Sequence, residues 1–179
     1  RMQKAWGDQP PTVIGLHLGA RKPAQRWPAE RFAELARRLY AARRARIVLL
    51  WAPGRSGDPL HRGDDDKARE VYSTVPDVPM LRLPATRLED LIAALARCDA
   101  VICSDGGPMH LAAALGKPIV CLFGNSSAER WHPWGTRYEL LQPASRDVRD
   151  VSTDEVMAAY DRLTDATELL QPEKTTGER

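Results

Sequence analysis

Cysteine is scarce in this sequence, whose 179 residues include only Cys98, Cys103 and Cys121. An odd number of cysteines does not make a disulfide framework, and no Cys-x-x-Cys pair or His/Cys cluster has the spacing of a metal site. Cys103 and Cys121 fall within apolar, strand-like runs, where cysteine usually serves as a small buried hydrophobe. We therefore expect no metal and a reducing, cytoplasmic location.

Long apolar runs and a strong net charge are also missing. No run approaches the roughly 20 residues of a membrane-spanning helix, and no charged-then-apolar leader precedes the first strand-like segment. The 26 Lys and Arg residues nearly balance the 24 Asp and Glu residues, which leaves a net charge of +2. We expect a soluble chain that binds no nucleic acid.

Two catalytic signatures are absent as well. No Gly-x-Gly-x-x-Gly follows the first apolar segment, which disfavours a dinucleotide-dependent dehydrogenase. No Gly-x-Ser-x-Gly elbow is present, and Ser104, Asp105 and His110 lie on one turn. A catalytic triad needs residues that converge from separate elements, so a hydrolase is disfavoured too.

What the sequence does contain is an alternation of apolar runs and helical patterns, which is typical of repeated βα units. The predicted strands span residues 13–18, 47–51, 80–83, 101–103, 119–123 and 138–141. Their near-continuous hydrophobicity is typical of strands that are covered on both faces. We therefore predict an α/β fold: a Rossmann-like parallel sheet with helices on both faces.

Helices are predicted between these strands from apolar residues at i, i+3, i+4 and i+7 spacing, as in 32–39 and 88–95. Three pairs match a capping box: Thr86 with Glu89, Ser126 with Glu129, and Ser152 with Glu155. The last of these predicts a final helix over about 153–163.

The domain is expected to span residues 12–164. Residues 1–11 begin on Arg1 in a polar, Gly/Pro-containing lead, which we interpret as a linker from a missing N-terminal domain. The polar, aperiodic residues 165–179 are expected to form a flexible tail.

The most informative segment runs from Ser104 to His110. Here an apolar strand meets two glycines and then Pro108, which suits the first turn of a helix. Gly106 and Gly107 allow close approach to the backbone, and helix N-terminal N–H groups bind anions, so we predict a phosphate site. The alternative is a plain strand-to-helix turn, because one glycine-rich turn is a weak signal.

Asp105 complicates a phosphate site, because its carboxylate would repel a diphosphate. We favour two roles for it: a cap for the new helix, or a hydrogen-bond partner for a sugar hydroxyl.

Residues 104–118, Ser-Asp-Gly-Gly-Pro-Met-His-Leu-Ala-Ala-Ala-Leu-Gly-Lys-Pro, resemble the C-terminal domain of the ADP-heptose:lipopolysaccharide heptosyltransferases, glycosyltransferase family 9. A second match is His-Leu-Gly-Ala-Arg-Lys at 17–22, followed by Arg-Trp-Pro at 26–28. The resemblance covers about residues 12–141. It implies the C-terminal half of a GT-B glycosyltransferase, whose two Rossmann-like domains face each other across a cleft.

The resemblance also implies the reaction. A sugar, L-glycero-D-manno-heptose, would pass from ADP-heptose to the lipopolysaccharide inner core with inversion and without a required metal or cofactor. The family's catalytic base comes from the N-terminal domain, so no catalytic residue is expected in this chain. The implied partners are that domain, the nucleotide-sugar donor and the lipopolysaccharide-core acceptor, which would bring the enzyme to the inner membrane.

Two alternatives stay open: a family 9 transferase that uses another nucleotide-sugar, and a nucleotide-binding regulatory or assembly module without transferase activity.

Carried over by resemblance, the family's diphosphate turn corresponds to 105–110, and its first-strand loop to 19–26. Gln25 stands where the family often has a lysine, so Arg21, Lys22 or Arg26 would supply the charge. Asp64, Asp65 and Asp66 lie near the position that would meet the ribose, with Asp66 taken as the contact, and Thr86 lies near the position of the base. Surface charge and helix capping are the simpler explanations. The predicted donor-binding residues are Arg21, Lys22, Gln25, Arg26, Asp66, Thr86, Asp105, Gly106, Gly107, Pro108 and His110.

Trp131 and Trp134 follow the fifth predicted strand, on the side where a ligand would lie. They are candidates for the donor cleft or for a partner-domain contact. We favour packing at the edge of the core, which is the more common role of such tryptophans.

Overall fold

Six apolar segments form one parallel sheet in the computed structural model, which describes residues 12–58 and 63–168. The strands are β1 Val13–His17, β2 Arg46–Trp51, β3 Met80–Pro84, β4 Ala100–Ser104, β5 Ile119–Leu122 and β6 Tyr138–Leu141. All six predicted strands are confirmed, and their ends differ from the predicted ones by at most one residue.

Helices connect the strands and cover both faces of the sheet. They are α1 Ala29–Arg43, α2 Asp65–Thr74, α3 Leu88–Ala96, α4 Gly107–Ala114, α5 Ala128–Trp131 and α6 Thr153–Glu168, with short 3-10 turns at Pro23–Gln25 and Val148–Asp150. Within the described ranges, no helix combines the length and the apolar character needed to cross a bilayer.

Helix α6 begins at the predicted residue but runs to Glu168, beyond the predicted end at 163. Residues 165–168, which we assigned to a tail, therefore continue this helix. The predicted linker 1–11 and the rest of the predicted tail, 169–179, lie outside the described residues.

The strand order is β3-β2-β1-β4-β5-β6. The chain moves outward from β1 to β3, then returns to place β4 on the other side of β1, so that Leu16 lies between Leu49 and Ile102. In such a sheet the loops after β1 and β4 diverge at their carboxyl ends and leave a crevice, the usual ligand site of open α/β folds.

Two hydrophobic cores cover the two faces of the sheet. Helices α1, α2 and α6 pack on one face, with Phe32, Leu39 and Tyr160 among the buried side chains. Helices α3 and α4 pack on the other, with Leu95 and Met109. This two-sided burial is the reason for the near-continuous hydrophobicity of the strands.

The three cysteines are unpaired and buried. Burial raises the pKa of Cys98 and Cys103 to about 12 and raises the pKa of Cys121 as well. The thiols therefore stay protonated at neutral pH and act as small hydrophobes, as expected for Cys103 and Cys121.

Only one of the three predicted capping boxes forms. The Glu155 carboxylate accepts hydrogen bonds from the Ser152 N–H at 2.8 Å and from its hydroxyl at 2.7 Å, and Ser152 Oγ accepts from the Glu155 N–H at 3.2 Å. The Thr86 and Ser126 boxes are wrong, because α3 and α5 each begin one residue later than those boxes require.

Candidate functional site at the carboxyl edge of the sheet

A cleft of about 840 Å³ lies at the carboxyl edge of the sheet, among the loops that follow β1 to β5. Most of the predicted donor-binding residues meet there. They are Arg21, Lys22, Gln25, Asp105, Gly106, Gly107, Pro108 and His110. The remaining three, Arg26, Asp66 and Thr86, do not line it.

The first turn of α4 forms part of the cleft wall. Gly106 is the N-cap, no side chain caps the helix, and a proline stands in the first turn, as predicted for Pro108. Pro108 has no N–H, and the N–H groups of Met109 and His110 donate to the Gly106 carbonyl at 3.1 and 3.4 Å. The N–H groups of Gly106 and Gly107 are therefore the ones that an anion could reach, at the end that the helix dipole makes favourable for it.

The two glycines here are not required by the protein's own packing. A Cβ at Gly107 would meet no atom within 4 Å, and a Cβ at Gly106 would meet only Pro108 Cδ at 3.9 Å. Neither residue has a left-handed backbone conformation. The missing side chains therefore leave open space beside the exposed N–H groups, where a ligand could approach the backbone.

The loop after β1 is held down by an ion pair between Arg26 and Asp64. Asp64 is only 1% exposed, and Arg26 Nη1 also donates to the carbonyl of Ala20 at 2.7 Å. A Cβ at Gly19 would meet Asp64 Oδ2 at 2.6 Å, so the loop needs glycine to lie this close. Arg26 is thus engaged within the protein and outside the cleft.

Arg21 and Lys22 are the loop cations that face the cleft. Both side chains are exposed. Within the described part of the chain, neither forms an ion pair with an acidic residue. Of the three cations considered as replacements for the family's lysine, these two are available to an anion.

Gln25 joins three loops. Its side chain is 4% exposed, and its Nε2 donates to Asp105 Oδ2 at 2.8 Å and to Ser126 Oγ. The capping role considered for Asp105 is wrong: its carboxylate accepts from Gln25, and Gly106 occupies the N-cap position.

The loops after β1 and β5 also touch directly. A Cβ at Gly124 would lie 2.1 Å from the carbonyl oxygen of Ala24. This contact and the Gln25 amide together position the first-strand loop over the end of β4.

Two titratable groups lie at the inner end of this loop. Burial lowers the pKa of His17 to about 4, although a hydrogen bond with the Gly19 backbone acts in the opposite direction. Burial, followed by repulsion from Arg26, lowers the pKa of Lys67 to about 8. His17 is therefore neutral at pH 7, while Lys67 keeps its charge and donates to the carbonyl of Leu18 at 2.9 Å.

Of the three consecutive aspartates, the structure brings a different one to the cleft than the predicted Asp66. Asp66 is exposed and pairs with Arg69 at 2.9 Å, whereas Asp64, just before α2, lines the cleft. Asp65 accepts from the Trp51 indole at 2.8 Å. Successive residues at a helix start point about 100° apart, so only one of three can face a given ligand.

Thr86 is also outside the cleft, with an exposed side chain, while its neighbour Ala85 lines the wall. The residue just after a strand faces the crevice here, and the next one turns outward.

The packing expectation for the two tryptophans is wrong. Trp131 is 51% exposed and Trp134 71%. Trp131 lines the cleft and meets His110 edge to face, with 6.3 Å between ring centroids. Trp134 stacks on His132, away from the cleft.

Sequence analysis did not propose several cleft residues as donor contacts: Asn125, Ser126 and Ser127 after β5, together with His17. The β5 group had a usable signal, because residues just after parallel strands share one edge of the sheet. For the residues that the structure describes, no three His, Cys, Asp or Glu side chains come together as a metal site would need.

Comparisons with known proteins show which family and which fold this chain resembles. Residues 2–160 match the family described as glycosyltransferase family 9 (heptosyltransferase). A lipopolysaccharide heptosyltransferase 2 from Salmonella typhimurium is 32% identical over 131 residues, which are 73% of this chain and 36% of the relative. A lipooligosaccharide heptosyltransferase 2 from Haemophilus influenzae is 28% identical over 140 residues, 76% of this chain and 37% of the relative.

The fold is also similar to that of a solved protein, the ADP-heptose lps heptosyltransferase II of Escherichia coli. The TM-score is 0.76 at 25% identity, and the match covers 93% of this chain and 50% of that structure. The chain thus spans little more than a third of the curated relatives that it matches.

Proposed function

The chain belongs to glycosyltransferase family 9, and from this premise we propose that its cleft binds the nucleotide-sugar donor of a heptosyltransferase. The observation that carries the proposal is the open space over Gly106 and Gly107, beside the uncapped start of α4. The diphosphate would lie there, opposite Arg21 and Lys22.

The donor we propose is ADP-heptose, and the acceptor is the lipopolysaccharide inner core. Support comes from the names of the relatives, which are lipopolysaccharide and lipooligosaccharide heptosyltransferases, and from the ADP-heptose enzyme with a similar fold. The lipid-linked acceptor leads us to propose that the whole enzyme works in the cytoplasm, at the inner membrane.

The chemical role that we propose for this chain is stabilisation of the leaving group. As the bond between sugar and diphosphate breaks, negative charge grows on the departing nucleoside diphosphate. The N–H groups at the start of α4 are fixed by the helix before the reaction, and together with Arg21 and Lys22 they would stabilise this charge, without a required metal. A general base must also deprotonate the acceptor hydroxyl, and we propose that it comes from an N-terminal domain, with inversion at the anomeric carbon.

Asp105 fits a sugar-directed role in this scheme. Its carboxylate already accepts one hydrogen bond from the Gln25 amide, and its remaining lone pairs are available to a donor hydroxyl. His110, one turn into α4, faces the same cleft.

Calorimetric titration of the chain with ADP, ADP-heptose, UDP-sugars and NAD tests the proposal. We expect ADP and ADP-heptose to bind, with Asp105→Ala and His110→Ala weakening ADP-heptose. Preference for NAD, or no nucleotide binding at all, would contradict it.

Gly107→Ala gives a sharper test of the diphosphate position. Its Cβ would occupy only open space, so stability should be kept, while ADP affinity should fall about tenfold, equivalent to about 1.4 kcal/mol. Gly57→Ala is the matched control, because a Cβ there also meets nothing within 4 Å and Gly57 does not line the cleft. Equal ADP affinity in the Gly107→Ala and Gly57→Ala variants would show that the diphosphate does not lie over Gly107.

A further inference from the structure

An exposed indole closes one end of the cleft. Trp131 is the last residue of α5 and leaves half of its surface open. Its ring is held edge to face against His110, so its orientation is set by α4 as well as by its own helix. An aromatic ring that lines a cleft beside polar side chains is suited to a ligand contact.

The strand order gives the cleft a direction. Ala85 and Leu91 line it beyond β3, Gly19 to Lys22 and the start of α4 lie at the centre, and Trp131 lies beyond β5. Neighbouring strands are about 4.8 Å apart, so the ends of β3 and β5 are separated by about 19 Å. That length accommodates an extended ligand with two ends joined by a diphosphate.

The two ends differ in chemistry. The β3 end has the alkyl side chains of Ala85 and Leu91, which suit the flat, apolar face of a base. The β5 end offers the amide of Asn125, the hydroxyl of Ser127 and the Trp131 ring. Side-chain amides and hydroxyls match the hydroxyls of a sugar, while an aromatic face packs against the C–H groups of a sugar ring.

We propose that Trp131 is the surface against which the sugar of the donor packs, and that it is a specificity-determining residue for the sugar. This inference rests on the proposed donor site. In this proposal, Trp131 at the β5 end of the cleft contacts the sugar and does not contact the nucleoside diphosphate.

The test compares two ligands, ADP and ADP-heptose, on one variant, Trp131→Ala. Loss of an aromatic contact should weaken ADP-heptose about three- to tenfold. ADP affinity should stay unchanged, because ADP lacks the sugar. Trp131→Phe keeps a flat aromatic face and should retain most of the affinity for ADP-heptose. It also keeps the test available if the alanine variant folds poorly.

Trp134→Ala is the matched control. Trp134 is also an exposed tryptophan, but it stacks on His132 outside the cleft. This variant should bind both ligands like the unchanged chain.

The outcomes separate the two proposals. If the unchanged chain binds neither ADP nor ADP-heptose, the donor site itself fails. If ADP binds but Trp131→Ala weakens both ligands equally, or neither, the donor site stands and the role of Trp131 is overturned.

Discussion

Gln25 shows how a single buried amide can connect three loops around a cleft. It links the loop after β1 to Asp105 after β4 and to Ser126 after β5. An amide that donates to a half-buried carboxylate stabilises it without adding a positive charge. The positive charge at this site therefore has to come from elsewhere, and Arg21 and Lys22 face the cleft.

Replacement of Gln25 by Met removes the amide and keeps a similar volume. Because Asp105 and Ser126 then lose a hydrogen-bond donor, the free energy of unfolding should fall by about 1–3 kcal/mol. Gln25→Lys should instead tighten ADP binding and make it more sensitive to salt, since it adds a cation near the diphosphate. Denaturant unfolding and titrations at two salt concentrations measure these effects, and a Met variant as stable as the unchanged chain would contradict the linking role.

His17 makes stability depend on pH. Its pKa is about 4 in the folded chain against about 6.5 unfolded, so between these values the unfolded state binds the proton and the folded state does not. Stability contributed by neutral His17 is therefore present above pH 6.5 and is lost as the pH falls towards 4, by up to about 3 kcal/mol. Denaturant unfolding from pH 4.5 to 7.5 should show this slope.

His17→Gln is the control for the pH effect, because it cannot titrate. Its stability should vary less over the same range, and slopes that are identical in the two proteins would show that other groups dominate.

At the scale of elements, the first-strand loop depends on its attachment to the start of α2. The Arg26–Asp64 ion pair lies between largely buried side chains, 17% and 2% exposed, whereas Arg69 and Asp66 on the same helix are 63% and 62% exposed. A buried charge that loses its partner is costly, while an exposed pair contributes little.

Arg26→Ala and Asp64→Ala should each lower the free energy of unfolding by about 3–5 kcal/mol, because each leaves the other charge largely buried without its ion-pair partner. The double variant should lose clearly less than the sum of the two. The amides of residues 20–22, 24 and 25 should also exchange hydrogen faster, as the loop is released.

Asp66→Ala is the matched control for this ion pair, and it should change stability by less than about 1 kcal/mol. Additive losses in the double variant would contradict coupling between Arg26 and Asp64.

At the scale of the whole molecule, the chain holds the proposed donor cleft but spans little more than a third of its curated relatives. We therefore expect the 179-residue chain to bind ADP-heptose without transferring heptose. An assay with labelled donor and a lipopolysaccharide-core acceptor measures transfer, with calorimetric ADP binding as the control for a folded site. Sugar transfer by the chain alone would contradict the expected location of the general base in another domain.

Much of the architecture followed from local patterns. The strands could be predicted because parallel strands buried on both faces need uninterrupted apolar residues. The turn from Ser104 to His110 could be predicted because two glycines and a proline have few other uses after a buried strand. That this turn binds a diphosphate is still a prediction.

What only the tertiary structure decided was which side chains meet across the strand ends. Three features depend on contacts between residues distant in sequence. Asp64 rather than Asp66 faces the cleft, Gln25 donates to Ser126, and Trp131 lies exposed beside His110. Local periodicity indicates whether a residue lies in a strand or a helix, because side chains return to one face about every 2 residues in a strand and every 3.6 in a helix. The direction in which a loop side chain points is set by contacts between loops, and these exist only once the sheet has brought β1, β4 and β5 together.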